Sequence, residues 1–543
     1  MTQNRILAIG LDGYEQTLAR ELINVGKLPA LAALKEKGAT WLLDHGPATR
    51  TGLAWEHFST GLSPDMANHH SAVVFDKETY SVCQQGTSLA PFISGFNKKS
   101  VIFDPPYFDL YKTSNAKGMV NWGAHDPGIA CKSIPADLKE EVHDKFGPYP
   151  AKEWIYGVCW QSVEQTATMG KKLTEALEVR TKIAKWLLHE RLPDWEFGLV
   201  VCGELHSATE GLWHGIDPDH PLHHAASAET AKEGLIAVYE AADNLISELV
   251  NTFPDATIVV FSMGGMGINH SDIPSMVLLP ELLYRKAFKK QLMQPKSSWL
   301  VAEKGIVQLG EDESWSSTVN GLYPKVDREN IDTHSIKFIP KFLDTILSNW
   351  VRKKKEIPFT LSLDWMPATH YVHCWPRMDA FVLPSFYDGQ IRVNLIGREK
   401  YGRVPLKNYS LILDEIEKDL LDCKNWSGNG VIEKFERRAE SNALHRQPTD
   451  ADLLVVWKGV ITELNHKDFG RIGPVPYRRP GGHTGPYGII HILDDMFSAG
   501  NYGVRSAFDV VPTIIDMLGE RKPVNLSGVS LLSGSQKFSS AHV

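Results

Sequence analysis

Cysteine is sparse in this sequence and never paired at short range. Cys83, Cys131, Cys159, Cys202, Cys374 and Cys423 show no CxxC spacing, which argues against a zinc ribbon and against a disulfide framework, so they read as reduced thiols. Long basic runs are missing as well. The short cluster at residues 352–355 reads as the solvated end of a helix, and with a formal net charge of -8 the chain lacks the footprint of a nucleic-acid binder. No apolar run approaches membrane-spanning length. Residues 1–5 lead straight into the run 6–9, too short and too soon interrupted for a signal peptide. These absences predict a soluble cytoplasmic protein with neither nucleic acid nor membrane as partner. Internal repeats and low-complexity tracts are also lacking. What is present is a globular composition, 43% hydrophobic and 22% charged over 543 residues, long enough for one large α/β domain carrying an insertion.

The apolar run 6–9 ends at Gly10-Leu11-Asp12-Gly13, and Leu18, Leu22, Ile23, Leu28, Leu31 and Leu34 follow at helical spacing. A strand, a tight turn and a helix are predicted, the opening of a doubly wound sheet. Residues 197–202 read as a buried strand with 203–212 continuing from it. A helix over 228–250, carrying Leu235, Val238, Leu245 and Leu249, precedes a strand over 256–261 that ends at Ser262-Met263-Gly264-Gly265. Ligands of open α/β sheets collect at the carboxyl ends of strands, so Asp12, His206 and Met263 are expected at one edge. Beyond a helix near 278–284 the pattern changes to segments rich in Trp, Pro and Lys, including a hairpin of 381–383 and 391–395 turned at Tyr387-Asp388-Gly389. The main sheet is expected to resume at 453–457 and to finish with a helix over 507–518. The expected architecture is α/β: a doubly wound, mainly parallel sheet from 1–284 and 451–543, with an inserted α+β cap over 285–450.

Asp12 directly follows a strand, where a carboxylate at the sheet edge can ligate a metal or cap the following turn. A second segment, Pro47-Ala48-Thr49-Arg50-Thr51-Gly52-Leu53-Ala54-Trp55, continues into Ser59-Thr60-Gly61-Leu62-Ser63-Pro64. A hydroxyl at a helix start lies beside unpaired N–H groups that favour an anionic group; the alternative is that Thr51 is an N-cap. A third cluster runs from Gly203-Glu204-Leu205-His206 through Glu210 to Trp213-His214-Gly215-Ile216-Asp217-Pro218-Asp219-His220-Pro221. On a helix, His206 and Glu210 at i and i+4 face one side and can grip one ion; the alternative is a surface pair. The fourth piece is Arg479-Pro480-Gly481-Gly482-His483-Thr484-Gly485-Pro486-Tyr487-Gly488.

These segments resemble the alkaline phosphatase superfamily, in the branch of the type I phosphodiesterases and nucleotide pyrophosphatases. The resemblance implies that Thr51 occupies the nucleophile position. It also implies that His206 and Glu210 stand on the Asp-x-x-x-His ligand positions with the residue types interchanged, and that His483 is the third ligand of the same ion. Asn121-Trp122-Gly123-Ala124-His125-Asp126-Pro127, the Leu279-Pro280-Glu281 segment and residues 389–399 extend it over most of the chain. The chain departs from the family where Asp-His-Gly-Met is typical, since Met263-Gly264-Gly265-Met266 offers neither carboxylate nor imidazole. A second ion would keep only Asp12 and Thr51, with His270 as a weak replacement. The expectation is therefore a single divalent ion, zinc, and a hydrolase or group transferase acting on a phosphate ester, phosphodiester or related sulfate ester. The competing expectation is a non-hydrolytic binding protein on the same scaffold.

Overall fold

The computed structural model describes residues 5–87, 89–124, 130–156, 158, 162–311, 313–324 and 360–534. The 352–355 cluster, Cys159 and the His125-Asp126-Pro127 part of one motif lie outside the described residues.

Strand Arg5–Leu11 shows why the apolar runs are continuous. Leu7, Ile9 and Leu11 enter one hydrophobic core and Ile6 and Ala8 enter another, so both faces of the strand are covered. It pairs in parallel with Phe197–Cys202 on one side and Ala256–Ser262 on the other. These are the central strands of a nine-stranded sheet. From edge to edge its order is Gly500–Ser506, Ala39–Asp44, Gly488–Leu493, Ala256–Ser262, Arg5–Leu11, Phe197–Cys202, Ser100–Phe103, Ala116–Val120 and Lys132–Ile134. Gly488–Leu493 and Lys132–Ile134 run against the rest. The fold is thus α/β with a mostly parallel, doubly wound sheet, as the sequence pattern predicts.

Helices Val163–Lys185 and Ala228–Thr252 cover one face, the latter through Leu235, Val238, Leu245 and Leu249. The helical pattern over residues 18–34 divides into Gln16–Asn24 and Pro29–Lys37, because Gly26 adopts a positive φ and Pro29 starts a new helix. The other face carries Trp55, Phe58 and helix Val510–Leu518. No helix among the described residues is long and apolar enough to cross a membrane.

A third core surrounds a separate antiparallel sheet ordered Ala380–Leu383, Gly389–Val393, Leu453–Trp457 and Ile432–Arg437. The hairpin read from the sequence is there, with Phe381 opposite Arg392. The reading of 453–457 as the return to the main sheet is corrected. Leu453–Trp457 pairs with Gly389–Ile391 and with the strand over 432–437, and the chain re-enters the main sheet at Gly488. An apolar run buried on both faces fits a central position in either sheet, so periodicity does not choose its partner.

One polar cluster lies inside the first core. Arg180, fully buried, donates to Glu204 at 2.9 Å, to Asp104 at 2.9 Å and to the Val201 carbonyl at 2.8 Å. Asp104 also accepts from the Trp122 and Gly123 amides at 2.8 and 2.9 Å. Glu204 is the first residue of helix Glu204–Leu212, so this network fixes where that helix leaves the sheet. Arg180→Ala strands two buried carboxylates and is expected to cost about 3–5 kcal/mol of folding stability; denaturant unfolding monitored by tryptophan fluorescence measures it.

Candidate metal centre and its cavity

The carboxyl ends of the central strands open into a cavity of about 640 Å³. Asp12, His206, Met263 and His483 all line it, which brings together the strand ends expected at one edge. Helix Glu204–Leu212 can approach the first strand because residue 13 is glycine. Gly13 has φ +77°, and a Cβ there would stand 2.2 Å from the His206 Cα.

The contact this permits is a hydrogen bond between His206 Nδ1 and Asp12 Oδ2 at 3.0 Å, with both side chains buried. A carboxylate only accepts, so it holds the proton on Nδ1 and leaves the Nε2 lone pair for the opposite side. On that side lie Glu210 Oε1 at 3.1 Å and His483 Nε2 at 3.1 Å. His206, Glu210 and His483 each offer one ligand atom within 4.8 Å of the others. Burial, then the neighbouring His206 and Arg479, hold the His483 imidazole well below the usual histidine range, so it is neutral. Glu210 is fully buried and its Oε2 has no hydrogen-bond partner among the described residues. A lone pair, a neutral imidazole and a carboxylate with an orphaned oxygen fit one cation, and the His/Glu/His donor set suits zinc.

Asp12, read from the sequence as a ligand, is outside this trio. It touches the nitrogen of His206 that faces away from the other two, the place of an orienting carboxylate. Thr51 ends the 3₁₀ segment Gly46–Thr51 and is not on the cavity wall, to which Thr49 and Gly52 contribute instead. Its hydroxyl donates to the Ala48 carbonyl at 2.8 Å and accepts from the Leu53 amide at 3.1 Å. The cap of helix Ala54–Thr60 is Leu53, so Thr51 closes a turn rather than capping the helix. Met263 and Gly264 line the cavity and bring no oxygen or nitrogen side-chain donor. His270 is not on this wall.

Several contributors escaped the sequence reading. Arg479 pairs with Glu210 and makes two further bonds to Asp272, at 2.8 and 3.0 Å, while Arg478 reaches the same carboxylate at 3.0 Å. The consecutive arginines before the glycine-rich His483 segment were the available signal. From the second sheet comes Tyr387, whose ring meets His483 edge-on at 5.3 Å and packs over Gly52. Gly52 has φ +72°, and a Cβ would stand 2.6 Å from the tyrosine ring. Arg50 joins Asp388 at 3.1 Å and Glu436 at 2.6 Å, so the Thr51 turn is pinned to the second sheet. Trp55, Tyr107, Trp315, Trp365 and Phe386 make much of the remaining wall aromatic.

No protein-family model and no curated protein matches the chain. Among solved structures it is similar to phosphonoacetate hydrolase from Sinorhizobium meliloti 1021 in complex with phosphonoformate (12% identity, 95% of each chain, TM-score 0.44). It is also similar to human ectonucleotide pyrophosphatase/phosphodiesterase 5 (10% identity, 96% of each chain, TM-score 0.44). A third is wild-type alkaline phosphatase PafA (10% identity, 97% of this chain and 98% of that one, TM-score 0.48).

The position of Asp12 gives a graded expectation. Asp12→Ala is expected to weaken zinc binding about 10- to 100-fold without abolishing it, the usual cost of removing an orienting partner. Competition against a chromogenic chelator reads this directly.

Proposed function

We propose that this chain is a hydrolase or group transferase for a phosphate ester, phosphodiester or related sulfate ester, built around one divalent ion, zinc, held by His206, Glu210 and His483. The observation that carries the reading is the meeting of His206 Nε2, Glu210 Oε1 and His483 Nε2 at contacts of 3.1 Å around His206. With the His206 proton held toward Asp12, a lone pair faces a carboxylate, a repulsion that a cation removes. A zinc ion bound there supplies a Lewis acid for a phosphoryl or sulfuryl oxygen.

The remaining roles belong to the protein. Asp12 fixes the His206 tautomer, and Asp272 holds Arg479 against Glu210, pairing that carboxylate with a cation beside the imidazoles. The aromatic wall keeps water away from the ester and strengthens these interactions. In this reading Thr51 provides the nucleophile or a binding hydroxyl by turning from the Ala48 carbonyl toward the wall that Gly52 already lines. Names of the similar structures, a phosphonoacetate hydrolase, a pyrophosphatase/phosphodiesterase and an alkaline phosphatase, accord with the substrate class.

The second reading, a binding protein without turnover, is favoured by two observations. The Thr51 hydroxyl is engaged at both donor and acceptor, and Met263-Gly264 supplies nothing for a second ion.

Elemental analysis is expected to give about one ion per chain. His206→Ala and His483→Ala are expected to lose it, Glu210→Ala to weaken it, and Met263→Ala to leave it unchanged. Turnover of p-nitrophenyl phosphate, its phosphodiester and its sulfate separates the two readings. The hydrolase releases nitrophenol, and Thr51→Ala cuts the rate about a thousand-fold. A zinc-loaded protein that turns over none of the three is the binding protein.

A further inference from the structure

Tyr387 enters the cavity from the second sheet, in the turn between Ala380–Leu383 and Gly389–Val393. Its backbone is fastened on both sides. The amide donates to Ser385 Oγ at 3.3 Å, and the carbonyl accepts from Ser275 Oγ, which itself accepts from the Trp457 indole at 2.8 Å. Asp388, the next residue, is held by Arg50 at 3.1 Å. The ring is placed as firmly. It meets His483 edge-on at 5.3 Å, and its Cε2 and Cζ stand 2.6 and 3.6 Å from where a Cβ on Gly52 would be. The carbon that bears the hydroxyl is therefore set beside Gly52, the neighbour of Thr51. The hydroxyl bonds to no group among the described residues, yet it is not one of the sealed, unpartnered polar atoms of the interior. The residue is partly open, and what it opens onto is the cavity.

A phenol keeps its proton at neutral pH, its ordinary pKa being about 10, so this group is a donor and not a base. The charged groups that act on it are Asp272, Asp12 and Arg478. Both carboxylates are engaged elsewhere, Asp12 by His206 and Asp272 by the two arginines. The phenol thus stands between His483, a ligand in the zinc reading, and the turn that bears Thr51, the space that reading gives to the tetrahedral group of the ester. Other wall residues offer that group little. Met263 and Gly264 bring no donor, and Arg479 is committed to Glu210 and Asp272. On a largely aromatic wall, the Tyr387 O–H lacks an acceptor until a ligand brings one.

We propose that Tyr387 is a catalytic residue whose phenolic O–H donates a hydrogen bond to an anionic oxygen of the ester's tetrahedral phosphoryl or sulfuryl group. The assignment rests on the ester reading of the cavity and gives the second sheet a direct part in the reaction. A donor fixed in place before the ester arrives stabilises the charge on that oxygen without reorganising as the charge grows.

The test is calorimetric titration of the zinc-loaded protein with inorganic phosphate, alongside zinc content for the variant. Tyr387→Phe keeps the ring against His483 and Gly52 and removes only the hydroxyl. It is expected to weaken phosphate about 10- to 100-fold, the loss of a hydrogen bond to a charged acceptor, with zinc content unchanged. In the unaltered chain labelled with ¹³Cζ-tyrosine, the Tyr387 resonance is expected to move as phosphate saturates the protein, a readout that does not depend on a variant folding. Unchanged phosphate affinity in Tyr387→Phe with zinc retained overturns the proposal alone. So does a Tyr387 resonance that phosphate leaves in place. Loss of zinc from Tyr387→Phe also overturns it, because the tyrosine would then act as a support for His483. A zinc-loaded wild-type protein that binds no phosphate overturns both the proposal and the ester reading beneath it.

Discussion

The hydrogen bond from His206 to Asp12 ties the end of the first strand to the helix that follows Phe197–Cys202, and the chemistry of the cavity depends on it. It requires two adjacent parallel strands in register and a glycine at residue 13, because any Cβ there would collide with the backbone of His206. It also settles which imidazole nitrogen carries the proton. Once the Asp12 carboxylate holds the Nδ1 proton, Nε2 turns its lone pair toward Glu210 and His483, and the three side chains can act as the ligand set proposed above. The buried Arg180 network secures the same helix at its first residue, so both ends of the contact are anchored in the core.

Charge around the trio is balanced within the protein. Asp272 takes two bonds from Arg479 and one from Arg478, and Arg479 in turn neutralises Glu210. A fully buried carboxylate without such a partner would take up a proton and cease to be a ligand. The second sheet completes the enclosure. Tyr387 reaches from its hairpin to the edge of His483 and over Gly52, while Arg50 is bound to Asp388 and Glu436. The second sheet and the carboxyl edge of the main sheet are therefore joined at the turn that bears Thr51.

Much of this was legible in the sequence because the central strands are buried on both faces and announce themselves as unbroken apolar runs. Strand Phe197–Cys202 has the bounds read for it, and helix Ala228–Thr252 follows its leucine spacing closely. Spacing also placed His206 and Glu210 on one helical face. Other features were illegible for definite reasons. The run 453–457 is apolar enough for either sheet, and only pairing decides between them. Asp12 was correctly placed at the carboxyl edge, but whether a carboxylate there touches an ion or a ligand's far nitrogen depends on a side-chain contact between residues 194 positions apart. The Thr51 hydroxyl likewise depends on local backbone geometry, which the motif alone does not fix.

The separation of Asp12 from the ligand trio is the central claim, and anomalous diffraction from zinc-loaded crystals tests it most directly. The account predicts one anomalous peak per chain, bonded to His206 Nε2, Glu210 and His483 Nε2, with Asp12 on His206 Nδ1 and outside bonding distance of the ion. Two peaks per chain, or a single ion bonded to Asp12, would contradict it.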